Sequence, residues 1–304
     1  MATRPRSTEK QPTRALVLGG GAALGRARHW GLAAGLLESG VDVRDADLII
    51  GTSAGAVMGA LLALGDDPCL SPPKVDPPSP NGLSPSVRLA LQQFMIECAK
   101  AATSATPEVG RAAIGRTALE ADTVGEEQAL SRPTLDGIAG RGWPASFRAT
   151  AVNALTGEFK LWGPGDGVPL ERAVASSAAL PGVWPPITVG DSRYIDGGVR
   201  SMLNADLATG CSRVLVISNF ALALHPDLPE RTKLLNGILL SEIQLLRENG
   251  AVVEVLTPDD AFLDVSGHGA KMLDSSLVPD AYEICKAQGR QESERIRELW
   301  SLPD

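Results

Sequence analysis

Residues 48–58 read LIIGTSAGAVM, and this stretch decides the fold. An apolar strand at its start runs into the motif G-x-S-x-G, and a second apolar run follows with a helical pattern. A serine on a sharp turn between a strand and a helix projects its hydroxyl out of the backbone. The helix directs its N-terminal N–H groups and the positive end of its dipole toward that serine. Ser53 is therefore the candidate nucleophile, and Gly51 and Gly55 allow chain and substrate to approach it closely.

A glycine-rich turn lies upstream of this motif, and an acidic turn lies downstream. Residues 15–25 form a short apolar strand that ends in consecutive glycines, and the backbone N–H groups of such glycines can face an anion. Asp196 follows a strand-like segment and precedes Gly197 and Gly198. This arrangement predicts a carboxylate on a tight turn that is free to face another loop.

In this order the three motifs resemble those of the patatin-like phospholipases, a family of serine acyl hydrolases. The family pattern is a glycine-rich oxyanion loop, then G-x-S-x-G, then D-G-[AG], and the resemblance covers roughly residues 16–198. Residues 176–186, rich in serine, alanine and proline, are similar to a fourth block of the family. The resemblance implies a catalytic dyad of Ser53 as nucleophile and Asp196 as base, without histidine, metal or cofactor.

The resemblance also implies where the oxyanion would bind. Backbone N–H groups around Gly20, Gly21 and Ala22 would hold it, and Gly25 aligns with the last glycine of the family's loop. The family commonly has arginine or lysine before that glycine, where this chain has Leu24. Ala22 stands where the family has glycine, which matters if its φ is positive. The missing charge weakens the expectation of a phospholipid substrate more than that of ester hydrolysis.

We therefore expect the hydrolysis of carboxylic esters, above all lipid esters, through an acyl-enzyme intermediate. Three other interpretations stay open. A Ser-Asp-His triad of the α/β-hydrolase type would need His225 or His268, the histidines that follow Asp196. A catalytically weak, acyl-binding pseudoenzyme would agree with the departures at Ala22 and Leu24. A nucleotide-binding module would use the glycine loop but leaves the other two motifs unexplained.

Two further expectations concern the surroundings of this site. The acyl chain is expected to lie against apolar residues that flank the motifs, namely Ala56, Val57, Leu180, Val183 and Trp184. His29 precedes the serine in the chain, and we expect it to be a solvated or capping residue of the first helix.

Apolar strand-like runs alternate with helical patterns. This alternation predicts one α/β domain, residues 14–304, with a central, mostly parallel sheet flanked by helices as in the patatin-like family. The predicted strands are 15–18, 48–50, 214–218 and 252–256, and the predicted helices are 27–38, 54–64, 202–209, 233–248 and 279–300. Residues 66–144 interrupt the pattern. Residues 66–85 are expected to form an exposed loop that is poorly ordered at least over 68–85. Residues 86–102 are expected to form an amphipathic helix that either packs on the sheet or caps the acyl pocket.

Composition and charge exclude several classes of partner. The 304 residues carry a net charge of −8 and no long basic run, which argues against nucleic acid and against strong attraction to anionic membranes. Residues 1–13 are polar and basic, so we expect a disordered tail and not a secretory signal. Residues 48–65 are uncharged, but they contain the strand, turn and helix of the motif and are not expected to span a membrane. Four widely spaced cysteines are typical of reduced thiols. We expect a cytoplasmic protein that contacts membranes at most transiently.

Overall fold

The part of the chain that the structure, a computed structural model, describes comprises residues 13–76, 94–222 and 227–301 apart from residues 95, 99 and 229. Residues 1–12 of the tail expected over residues 1–13, most of the predicted 86–102 helix and His225 therefore lie outside the described residues. Thr13 is described, and its backbone N–H and its hydroxyl both donate hydrogen bonds to Asp47.

Eight strands form one sheet in the described part of the chain. They are Arg14–Leu18 (β1), Leu48–Gly51 (β2), Phe147–Asn153 (β3), Phe159–Trp162 (β4), Ile187–Val189 (β5), Ser192–Asp196 (β6), Arg213–Ile217 (β7) and Val252–Leu256 (β8). The strands β3, β2, β1, β7 and β8 lie side by side and are all parallel. Strands β4 and β6 run antiparallel to β3, and β5 runs antiparallel to β6. The predicted α/β fold with a central, mostly parallel sheet is confirmed.

Helices flank this sheet. They are Ala22–Glu38 (α1), Ala54–Ala63 (α2), Pro107–Glu120 (α3), Glu126–Leu130 (α4), Leu170–Ser177 (α5), Glu230–Glu248 (α6), Asp260–Val265 (α7) and Val278–Ser301 (α8). The prediction of a helix over 202–209 is wrong, because this segment contains only a short 3-10 turn, Ala205–Ala208. Asn204 adopts left-handed backbone angles just before it, and the Ser201 hydroxyl accepts hydrogen bonds from the next backbone N–H groups. Both features are typical of a turn and interrupt an α-helix.

Helix α1 is buried over most of its length, because α8 covers the side that faces away from the sheet. Close contact between the two helices depends on glycines. A Cβ atom at Gly35 would meet the backbone of Lys286 and Arg290, and one at Gly289 would meet the Leu32 carbonyl oxygen. The charged C-terminal helix that the sequence predicted therefore packs directly on the helix that follows the glycine loop.

The register of β3 brings two strand ends together. Strand β2 pairs with β3 as far as Gly51, opposite Ala149. Two residues farther along β3, Ala151 pairs with Asp196, the last residue of β6. Strand β4 pairs with both Ala149 and Ala151 and so occupies the opposite edge of β3. Strands β2 and β6 therefore share one edge of β3 and meet end to end, which places Asp196 beside the turn that carries Ser53.

Residues 66–76 are fixed by contacts with the rest of the fold, in contrast to the expected poorly ordered loop. The Trp30 side chain donates a hydrogen bond to the Ser71 carbonyl oxygen at 3.0 Å, and the Tyr282 hydroxyl donates one to that of Pro68 at 2.8 Å. Asp76 is buried and accepts hydrogen bonds from the backbone and hydroxyl of Thr134. The proline-rich segment thus begins as an ordered part of the structure.

The described part of the predicted 86–102 helix packs against the sheet. Phe94, Cys98 and Ala101 are buried in the same apolar cluster as Ile195 and Val199, the apolar residues on either side of the acidic turn. This contact agrees with the packing alternative for that helix. None of the helices among the described residues is long and apolar enough to cross a bilayer.

Candidate active site

Ser53 lies on the turn between β2 and α2 in a strained conformation. Its backbone angles are φ 55° and ψ −115°, in the region of positive φ that costs a residue with a side chain about 1–3 kcal/mol. The Ser53 N–H donates a hydrogen bond to the Ser177 hydroxyl at 3.1 Å, and its carbonyl accepts from Ala56 at 2.9 Å. These contacts hold the turn, so its strain is stored at the candidate nucleophile.

Close packing under the turn explains the last glycine of the motif. The Thr52 N–H donates to the Leu18 carbonyl oxygen at 3.0 Å, which ties the turn to the end of β1. A Cβ atom at Gly55 would overlap the same Leu18 carbonyl group. Helix α2 can therefore leave the turn across β1 only if residue 55 has no side chain.

Gly55→Ala is accordingly expected to destabilise the fold by about 3 kcal/mol or more, because a methyl group cannot displace main-chain atoms at the centre of the sheet. The midpoint of thermal unfolding measures the effect. Gly142→Ala is the matched control, since a Cβ atom there meets nothing within 4 Å and φ is not positive. Equal unfolding midpoints for the two variants would contradict the packing argument.

Asp196 is buried at the end of β6, with only 2% of its surface exposed. Its N–H donates to the Ala179 carbonyl oxygen at 3.1 Å, and its Oδ1 accepts from the Gly198 N–H at 2.8 Å. Among the described residues, Oδ2 has no hydrogen-bond partner of normal geometry. One carboxylate oxygen is thus fixed by the acidic turn, and the other is available for proton transfer.

Burial raises the pKa of Asp196 from 3.8 to about 7. The Ser53 hydroxyl, the Gly198 N–H and the Arg132 guanidinium lower that pKa but only partly offset the desolvation. The Ser53 hydroxyl therefore faces the Asp196 carboxyl group, although the contact falls outside the geometry of a well-formed hydrogen bond. The two residues that the motifs single out are brought together.

A buried polar network connects the serine turn to the acidic turn. The Thr150 hydroxyl donates to the Thr52 hydroxyl oxygen at 3.0 Å, and the Asn204 amide also donates to Thr52 at 3.0 Å. The same amide reaches the Gly197 carbonyl oxygen at 3.3 Å. Because the Asn204 amide bonds to both turns, the network helps to fix the position of Ser53 relative to Asp196.

The glycine loop lies against the serine turn. A Cβ atom at Gly20 would lie 3.5 Å from that of Ser53, and one at Gly25 would lie 3.4 Å from that of Ala54. Gly25 belongs to the first turn of α1, and Ala54 begins α2. The N-termini of two helices, each with unpaired N–H groups and a positive dipole end, therefore lie side by side at Ser53.

One of the three expected oxyanion donors is already engaged. The Gly20 N–H donates to the Met202 carbonyl oxygen at 2.8 Å, so Gly20 is removed from the predicted set. Within the described chain, the N–H groups of Gly21, Ala22 and Ala54 have no protein acceptor. Ala54 was missed from the family pattern, although the residue after a nucleophilic serine commonly supplies such a donor.

Ala22 adopts φ 51°, the left-handed conformation that favours glycine. The departure from the family pattern therefore has a structural cost of about 1 kcal/mol at the start of α1. Its backbone N–H stays in place, because a donor of this kind does not depend on the side chain. The alanine is thus a source of strain, and the hydrogen-bonding capacity of the loop is preserved.

His29 supports the loop from beneath, and the expectation that it is solvated or a capping residue is wrong. It is fully buried, and its Nε2 lies 2.7 Å from the Gly19 carbonyl oxygen. A carbonyl only accepts, so Nε2 carries the proton and His29 donates. Burial lowers the pKa of His29 to about 3, which keeps it neutral. The Asn219 amide donates to the Gly20 carbonyl oxygen at 3.0 Å beside it.

The histidines required by a Ser-Asp-His triad are not found beside the dyad in the described chain. His268 lies exposed in a turn at φ 51°, and no hydrogen bond joins its side chain to Ser53 or Asp196. Nor do the described residues contain a group of three or more histidine, cysteine, aspartate or glutamate side chains that could hold a metal ion. All four cysteines are free thiols.

The patatin-like phospholipase family matches residues 98–209, a segment that contains the acidic turn with Asp196. The resemblance to the patatin-like phospholipase family is confirmed. The match begins after the glycine loop and the serine turn. The geometry of these two turns is therefore evidence that does not depend on the family match. None of the curated proteins matches the sequence.

Two solved structures are similar to this chain. The type III effector protein ExoU is 17% identical, and the alignment covers 96% of this chain and 54% of that one with a TM-score of 0.42. VipD from Legionella pneumophila is 12% identical, with 96% of this chain and 86% of that one covered and a TM-score of 0.36. The chain thus spans about half the length of the ExoU chain.

Proposed function

We propose that the chain is a serine acyl hydrolase that cleaves carboxylic esters of lipids, with Ser53 as nucleophile and Asp196 as base. The observation that carries this proposal is the contact of a serine hydroxyl on a strained turn with a buried carboxyl group of pKa about 7. Such a carboxyl group is half ionised near neutral pH, so it can both accept and return a proton. The family match supports lipid esters as the substrate class.

In the acylation step, the Ser53 hydroxyl oxygen forms a bond to the ester carbonyl carbon while its proton moves to Asp196. The electron pair of the carbonyl bond moves onto its oxygen and forms an oxyanion. When this intermediate collapses, the bond between the carbon and the alcohol oxygen breaks. The leaving oxygen takes the proton from Asp196, which leaves an acyl group on Ser53 and an ionised carboxylate.

Deacylation repeats these transfers with water. Asp196 takes a proton from the water molecule as its oxygen attacks the acyl carbon. The bond to the Ser53 oxygen then breaks, and that oxygen recovers the proton from Asp196. The products are a carboxylic acid and an alcohol, and both residues return to their initial states.

The oxyanion of both steps is proposed to bind the N–H groups of Gly21, Ala22 and Ala54. They belong to two adjacent helix N-termini, and their positions are fixed before substrate binds. Loss of one such donor costs about 3 kcal/mol in the barrier of a comparable enzyme. Because these donors survive at Ala22, an active enzyme explains the loop better than an acyl-binding pseudoenzyme does.

A lipid substrate also implies an encounter with a lipid surface. We propose that this contact is transient, in the cytoplasm, and made by the segment from Asp66 to Ala102. Leu70 is 80% exposed in this segment, a large apolar side chain available for insertion between lipids. The net charge of −8 opposes long-lived binding to an anionic membrane and opposes nucleic acid as a partner.

Hydrolysis of p-nitrophenyl esters with acyl chains of increasing length tests this function. We expect kcat/KM to rise about three- to fourfold for each methylene from acetate to at least octanoate, because each buried methylene contributes about 0.8 kcal/mol. A chelator should leave the rates unchanged. A preference for acetate would favour a general esterase, and no turnover of any ester would favour the pseudoenzyme.

A further inference from the structure

Arg132 is a buried cation that forms no direct hydrogen bond or ion pair with the described residues. It lies directly before the 3-10 turn Pro133–Leu135 and is 5% exposed. Its Nε is fully enclosed. The guanidinium carbon stacks over the Trp184 ring, 4.6 Å from its centroid. This ring orients the cation without neutralising it.

A second arginine lies beside it. Arg26 forms an ion pair with Asp76 at 3.6 Å. Thr134 occupies the other oxygen of that carboxylate with two hydrogen bonds. Thr134 is two residues from Arg132, so Asp76 connects Arg26 to the turn that follows Arg132. Burial, and more weakly the charge of Arg26, lowers the pKa of Arg132, and Asp76 opposes both. Both oxygens of the Asp76 carboxylate are thus engaged, and the anion that remains within electrostatic range of Arg132 is Asp196 itself.

Three observations place this cluster near the dyad. Arg26 directly follows Gly25, whose position lies against Ala54. Trp184 belongs to the segment in which Ala179 holds the backbone of Asp196. The positive charge of Arg132 also lowers the pKa of Asp196, which places the cation within electrostatic range of the base.

We propose that Arg132, with Arg26 beside it, binds the phosphate group of a phospholipid whose ester is presented to Ser53. The proposal rests on the hydrolase function proposed above. A planar guanidinium forms paired hydrogen bonds with phosphate oxygens, and an unpaired buried cation gains most from an anionic ligand. Arg132 would thus provide, from another loop, the charge that the family has at the position of Leu24. The enzyme would then prefer phospholipids to neutral glycerides.

The test compares two substrates with identical acyl esters, dihexanoyl phosphatidylcholine and dihexanoylglycerol, both as soluble monomers at pH 9. At this pH Asp196 is ionised in the wild type and in variants alike. Arg132→Gln is expected to lower the ratio of the two kcat/KM values about 10- to 100-fold, through the KM of the phospholipid. Arg132→Lys should restore part of the ratio. Arg116→Gln, an exposed arginine on α3, should leave the ratio unchanged.

Two outcomes of this assay would overturn the proposal. Equal losses on both substrates would make Arg132 a residue that acts through Asp196 or the fold, and an unchanged ratio would remove it from substrate binding. If the wild type hydrolyses neither ester, the proposed hydrolase function is wrong. Phosphate binding by Arg132 is then tested separately, by titration calorimetry on Ser53→Ala. Dihexanoyl phosphatidylcholine should bind this variant and lose affinity on adding Arg132→Gln. Inorganic phosphate that binds as tightly as the lipid would assign the site to free phosphate.

Discussion

Ser53→Ala is expected to abolish ester hydrolysis and all covalent labelling by a fluorophosphonate probe. Such probes react with a serine oxygen that a base and an oxyanion site activate, and the proposed base and oxyanion donors lie beside Ser53. Loss of the nucleophile from a comparable serine hydrolase lowers kcat about 10⁶-fold, so only a trace of the wild-type rate should remain. Gel fluorescence after labelling and the release of p-nitrophenol measure the two effects.

The variant is expected to fold normally, because alanine keeps the Cβ atom and the backbone bond to Ser177. An unchanged unfolding midpoint would show that the loss is chemical. Ser131→Ala, at an exposed serine at the end of α4, is the matched control and should retain both labelling and activity. A probe that still labels Ser53→Ala would contradict the assignment of the nucleophile.

The serine turn could be predicted from sequence because its determinants are local. Strand, tight turn and helix follow one another within residues 48–58, and the glycines of the motif fit backbone contacts within that unit and the neighbouring β1. The parallel core of the sheet could also be predicted from the sequence, since apolar runs alternate with helical patterns. The sequence predicts that the first helix begins near Ala27, but it begins at Ala22. Nothing in the local sequence predicts that an alanine with positive φ begins a helix.

The partners of Ser53 depend on contacts between distant parts of the chain. Asp196 meets it because β6 continues along the edge of β3 where β2 stops, and only the family resemblance suggested that pairing. The loop after β6 supplies the Met202 carbonyl oxygen that engages the Gly20 N–H. Asn219, distant in the sequence, lies against the buried His29. No sequence pattern indicates a role for Arg132, since a single arginine in a polar segment resembles any solvated side chain.

A base without histidine must have a pKa suited to the task. An ordinary aspartate of pKa 3.8 is too weak a base to accept the proton of a serine efficiently near neutral pH. Burial at the end of β6 raises the pKa of Asp196 to about 7, and the Gly198 N–H still orients one oxygen. In the proposed dyad, the fold thus gives this carboxylate the basicity that histidine provides in known serine hydrolases.

Asp196→Asn is therefore expected to lower kcat about 10³- to 10⁴-fold, because asparagine keeps the shape but cannot accept the proton. In the wild type, kcat/KM should fall about tenfold per pH unit below pH 7 and level off above it, as the ionised fraction of Asp196 does. The variant should lose this dependence. His268→Ala is the matched control and should be near neutral in rate, and a loss as large as that of Ser53→Ala would replace the dyad with a triad.

The same substitution should stabilise the fold at alkaline pH. The folded-state pKa of Asp196 is raised, so below pH 4 the group is protonated in both states and contributes nothing. As pH rises toward 8, the unfolded state loses its proton more easily, and the buried carboxylate increasingly destabilises the fold. Each 1 kcal/mol moves Tm by roughly 2–4 °C in a chain of this size, so Asp196→Asn should raise Tm by several degrees at pH 8 and hardly at pH 4.

Freshly prepared protein, checked by mass spectrometry, is needed for this measurement, because asparagine before a glycine such as Gly197 deamidates readily. A Tm difference that does not depend on pH would contradict the raised pKa, and with it the basis for Asp196 as the base.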